Sequence, residues 1–190
     1  MTKGLRWRIV SLQVILVLVL GFCAGFLFWG SSFVNGMVHD ELVAQKIYFP
    51  PASEIKTGGA LDPAVFSTAI RNYAGQQVDN GDKARVYAND FIAVHLNKVA
   101  GGQTYSQVSA ASQADPKNTA LQNQANTLFK GETLRGLLLN AYGWSQVALY
   151  AFYAAIGLTV AAIAVFATLV FEVVVAPRTA RATNPVPIPA

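Results

Sequence analysis

The side chains that could bind a metal or attack a substrate are few in this sequence: His39, His95 and Cys23. A metal site needs several ligands brought together. Neither histidine has a metal-binding partner three or four residues away, and the two lie far apart along the chain. A haem held by both would require the fold to join them. His95 sits among apolar helical positions and reads as a packed or surface histidine. His39, beside Asp40 and Glu41, reads as a polar residue at a membrane edge. A single cysteine permits no intrachain disulfide and excludes a four-cysteine zinc site. There is no phosphate-binding glycine loop, no H-E-x-x-H helix and no nucleophile elbow. The expectation is a protein that is not an enzyme, with no catalytic, cofactor-binding or metal-binding residues.

A different chemistry, that of packing in lipid, is better represented. Gly21 and Gly25 are one helical turn apart, and Gly157 and Ala161 repeat the spacing near the other end of the chain. Small residues at this interval let two helix backbones approach closely where lipid supplies no hydrophobic drive. These four are the candidate helix-packing residues, joining faces within one chain or between two. The bland alternative is that glycine and alanine are simply frequent in membrane helices. Gln13 and Thr159 are candidates for interhelical hydrogen bonds.

The elements that would carry these residues follow from charge and hydropathy. Of 190 residues, 53% are hydrophobic and 13% charged, against about 25% charged in soluble domains. Residues 9–38 and 136–171 contain no charged side chain. About 20 apolar residues span a bilayer as a helix. The second stretch would extend about 54 Å as a helix, longer than the hydrocarbon core, so part of it should lie outside. The expected spans are residues 9–34 and 147–171. The apolar run continues well past a signal-peptide length, and Phe22 precedes Cys23 where a lipoprotein signal needs a small residue, so an uncleaved anchor is expected. Trp7 and Trp29 flank the first span, and Tyr142, Trp144, Tyr150 and Tyr153 crowd the start of the second, as interfacial aromatics do.

The net charge of +4 comes from the flanks: Lys3, Arg6, Arg8, Arg178 and Arg181 against Glu172. Residues 35–135 carry nine basic and nine acidic side chains, so no basic patch for nucleic acid is expected there. Basic residues favour the cytoplasmic face. Both termini are therefore expected in the cytoplasm, as residues 1–8 and a proline-rich tail at 172–190. The segment 35–146 is then an extracytoplasmic domain.

Within that segment the pattern is helical. The first helix should continue past the membrane until Pro50-Pro51 stop it. Asp62-Pro63 reads as a helix start, followed by apolar residues at helical spacing to Tyr73. A helix is expected over about 82–100, ended by Gly101-Gly102. Thr104 and Gln107 fit a capping box for a short helix to about Ala114. Asp115-Pro116 repeats the start signal, and no proline interrupts the chain from there into the second span. Strand-like alternation is absent.

The stretches HDELVAQKIYFPP at 39–51, YAGQQVDNGDKA at 73–84 and KGETLRGLLLNAYGW at 130–144 resemble a group of uncharacterised actinobacterial two-span membrane proteins. The similarity covers most of residues 38–171. It implies a membrane placement and brings no established activity with it. The sequence thus predicts an all-α membrane protein, two transmembrane helices bracketing a small extracytoplasmic helical bundle. Its expected partners are the lipid bilayer and another membrane protein or itself. The expected role is accessory or structural, in a cell-envelope complex; the alternative is a ligand-binding or sensing module, whose mark would be an apolar pocket between the extramembrane helices.

Overall fold

The structure, a computed structural model, describes residues 3–59 and 61–175. Its backbone is helical, with no β-strand among the described residues. The proline-rich tail expected beyond Glu172 lies mostly outside the described residues, as do Arg178 and Arg181. The chain divides into two compact units: the described residues up to Ser32 together with those from Leu149 onward, and Phe33–Ala148.

Two helices dominate. Helix α1 runs Lys3–Ala44. The last long helix runs Thr119–Val170 and passes into a π-helical turn, Phe171–Val175. Both are long and apolar enough to cross a membrane, with 18-residue windows of mean hydropathy 2.5 and 2.4. Only 11% and 6% of those windows is buried. The core helix of a soluble protein would be mostly covered. Here Trp7, Phe22, Tyr150 and Ile163 stand more than 60% exposed. Soluble monomers rarely show contiguous apolar surface beyond a few hundred Å², and such exposure is what a pair of membrane-crossing helices would present.

In the first unit the two helices run antiparallel. Arg6 donates to the Glu172 carbonyl at 2.6 Å, Gln13 to Thr168 Oγ1 at 3.4 Å, and Phe28 meets Phe152 edge-on at 5.6 Å. The buried residues of this unit are small: Ala24, Ser31 and Ala155.

The Phe33–Ala148 unit holds the shorter elements: α2 at Thr68–Asn72, α3 at Gly81–Val86, a π-helical turn at Tyr87–Ile92, α4 at Ala93–Ala100, and α5 at Tyr105–Ala114. The long helix Thr119–Val170 is α6. Val38 and Leu42 from α1, Ile92 and Leu96 around α4, Val108 from α5, and Leu128 and Leu138 from α6 share one core with Phe49, Phe66 and Ile70.

Several boundaries differ from the sequence expectation. Helix α1 stops at Ala44, before the prolines, because Lys46 turns left-handed (φ 53°) and the Gln77 side chain donates to the Val43 carbonyl at 2.8 Å. The chain beyond pairs briefly with residues 75–78: Val78 donates to Ile47 and Phe49 to Gln76, both at 2.9 Å, around an isolated bridge between Tyr48 and Gln77. Asp62 does not cap a helix. Its carboxylate ties a turn by accepting from Ala64 and Gly58, and the helix begins at Thr68 and lasts five residues. Asp115 closes α5, and α6 is capped by Asn118, which accepts from Leu121 at 3.1 Å. The signals read correctly are those satisfied within one turn. Thr104 and Gln107 form both halves of a capping box, and Gly101 takes the left-handed conformation (φ 58°) that ends α4.

Candidate functional site

The four candidate packing residues do not converge. Gly21 and Gly25 are exposed and line a shallow apolar groove with Val17, Phe28, Thr159 and Ile163, of about 360 Å³. Gly157 and Ala161 lie off that groove, Gly157 exposed and Ala161 half-buried. A Cβ built on Gly21, Gly25 or Gly157 would meet nothing within 4 Å. Packing within the chain therefore does not demand glycine at these positions. Of the two candidate polar residues, Gln13 bonds across to Thr168, whereas Thr159 turns back onto the Ala155 carbonyl of its own helix.

The glycines that close packing does require are two the sequence pattern passed over. A Cβ on Gly81 would overlap the Ser145 hydroxyl and lie 3.2 Å from the Tyr142 Cα. One on Gly131 would overlap the Leu96 side chain. Gly81 opens α3 and Gly131 lies on α6, so both set how near α6 the α3–α4 segment can come.

The histidines are engaged separately. His39 Nδ1 donates to the Asp79 carbonyl at 2.8 Å. His95 Nδ1 donates to the Phe91 carbonyl at 3.0 Å, and its ring lies 4.5 Å from Phe91 and 5.1 Å from Phe66, centroid to centroid. It belongs to an aromatic ladder that continues through Tyr87 and Phe49 to Tyr73. Lys98 and Lys83 lie over the Phe66 and Tyr73 rings at its two ends, at 4.7 and 5.9 Å. The π-helical turn lets Tyr87, Phe91 and His95 stay in register over eight residues; π-helical turns arise mostly as local insertions of this kind. Burial raises the Tyr87 phenol above its ordinary value of 10.0. The ladder has the marks of a core built from rings, with its cations at the ends. Among the described residues no three histidine, cysteine, aspartate or glutamate side chains are grouped as a metal would need.

Comparison with family models, with curated proteins and with solved structures finds no match to this chain.

Among the described residues, some buried side-chain polar atoms have no hydrogen-bond partner. At the end of the first unit, Gln13 Oε1 and Glu172 Oε2 are enclosed without a hydrogen-bond partner. In the Phe33–Ala148 unit, Arg135 spans Asn89 (3.1 Å) and Glu132 (3.3 Å) while its Nε stays enclosed and unpaired.

One concavity of the second unit lies between α1 and α6. It holds about 290 Å³ and has Met37, Leu137 and Trp144 on its walls and Val38 and Leu42 at its floor. Its polar groups are Glu41, Gln45 and Asn140. This is a mostly apolar cleft with a few polar groups, the general composition of small-molecule sites.

Proposed function

We propose that this is an integral membrane protein that acts without catalysis, as an accessory or structural partner in a cell-envelope membrane complex. In this reading α1 and α6 cross the bilayer with both ends of the chain in the cytoplasm, and Phe33–Ala148 forms an extracytoplasmic helical bundle. The similarity to actinobacterial two-span membrane proteins belongs to the same reading. The observation that carries it is the open face at Gly21 and Gly25. Glycine costs about 1 kcal/mol relative to alanine inside a helix, and no neighbour in the chain occupies the space either one leaves. A helix from another membrane protein, or from a second copy, would use that space for close backbone approach.

The test is crosslinking and native mass measurement in lipid nanodiscs, comparing the parent chain with Gly21→Leu and Gly25→Leu. A complex in the parent that is lost in both variants is the expected result. Monomers alone in the parent, with no partner retained from native membranes, would refute the reading.

A second reading, an extracytoplasmic ligand-binding or sensing module, is favoured by the cleft between α1 and α6. It lies in the unit that this topology places outside the cell, and its walls are apolar as that reading expects.

A further inference from the structure

We propose that the cleft between α1 and α6 binds an organic ammonium group, with the Glu41 carboxylate as counter-charge and the Trp144 ring as the cation-binding face. The proposal rests on the ligand-binding reading above and names its ligand class. Glu41 is the one charged side chain on the cleft wall, and it forms no ion pair or hydrogen bond among the described residues. Glu41 is exposed, and the other lining groups are apolar or neutral amides, so it is the charge this cleft offers a ligand. That combination repels anions and leaves a cation better placed than any neutral group.

The kind of cation follows from the walls. A calcium or magnesium ion needs about six or more oxygen ligands, and one carboxylate with two amides falls short. An alkylated ammonium needs few polar contacts. Its methyl and methylene groups suit Met37 and Leu137, and its diffuse charge is attracted to an indole face, the strongest aromatic partner for such ions. Trp144 is half exposed, so its ring is open to a ligand. The Gln45 and Asn140 side chains, likewise without hydrogen bonds among the described residues, can meet a hydroxyl or ester on the ligand's other end. A space of about 290 Å³ matches a head group or small amine rather than a large molecule.

Such a group could arrive as a free solute or as a lipid head group. The experiment uses the full chain in phosphatidylglycerol nanodiscs, with Trp7→Phe and Trp29→Phe so that Trp144 alone reports by fluorescence. Choline is the probe, and 3,3-dimethyl-1-butanol, its neutral isostere, is the control. The expected result is a saturable Trp144 response to choline with Kd on the order of 1 mM. Glu41→Gln should weaken it about tenfold, and Asp40→Asn, on the same helix but off the cleft wall, should leave it unchanged. Circular dichroism confirms that each variant keeps its helix content. In phosphatidylcholine discs, a site already filled by lipid shows a shifted emission and no further response, whereas a site for free solute titrates as before. Both support the ammonium class. Equal responses to choline and its isostere would overturn the ammonium assignment while leaving a ligand cleft. No response to either would overturn both.

Discussion

At the scale of single residues, spacing and packing point to different glycines. Gly21 and Gly25 carry the membrane-packing pattern, yet each faces open space. Gly81 and Gly131 carry no pattern, and each is pressed against another helix. Only the tertiary contact distinguishes them, and a single sequence does not display it. Gly81→Ala should destabilise the fold by about 1–3 kcal/mol, since the Ser145 hydroxyl can rotate away but its Cβ, 2.5 Å from the added methyl, moves only with the α6 backbone. Gly21→Ala should change the stability of the isolated chain by less than about 1 kcal/mol. Denaturant titration of both variants in detergent separates them; equal losses would contradict the assignment. Asp62 supplies a second residue-scale test. Backbone N–H donors, Ala64 first and then Gly58, lower its carboxyl below the usual 3.8. A lowered folded value means that the stabilisation is present above the unfolded value and is lost as pH falls through the folded one. Proteolysis at the Gly58-Gly59 loop should therefore quicken below about pH 4, and Asp62→Asn should cleave faster than the parent at pH 6. A cleavage rate that is flat from pH 6 to 3 would count against it.

At the scale of elements, legibility followed the range of the signal. The capping box at Thr104, the glycine stop at Gly101 and the two long apolar helices were readable because each is decided within a turn or by composition. The misread boundaries are those where a distant group intervenes. Gln77 completes the end of α1, and the Gly58 amide draws Asp62 into a turn rather than a cap. The π-helical turn at Tyr87–Ile92 has no sequence signature; it serves ring stacking that depends on Phe49 and Phe66 from other segments. Of the candidate site, the small-residue spacing is visible in the sequence but the chain's own packing does not bring those positions together, and the cleft was not legible. Glu41 and Trp144 are about a hundred residues apart and share a wall only because α1 and α6 pack together. Thr104→Ala removes the acceptor for the Gln107 amide and leaves the rest of α5 in place. A loss of about 1 kcal/mol is expected, with faster amide exchange confined to the first turn of α5. Exchange spread evenly over the Phe33–Ala148 unit would show that the cap governs more than its own helix.

At the scale of the whole molecule, the decisive quantity is exposed apolar surface. Two long helices that bury so little of their most apolar windows are candidates to cross a membrane. Antiparallel pairing in the first unit puts Arg6 and Glu172 at the same end. The ligand-binding reading of the cleft depends on which side of the bilayer the Phe33–Ala148 unit occupies. Single-cysteine labelling in sealed cells tests this most directly. In a Cys23→Ala background, Lys117→Cys, on an exposed turn between α5 and α6, should react with a membrane-impermeant maleimide in intact cells. Gly4→Cys, at the start of α1, should react only after lysis. Labelling of Lys117→Cys only after lysis, or of Gly4→Cys in intact cells, would contradict the two-span topology with Phe33–Ala148 outside.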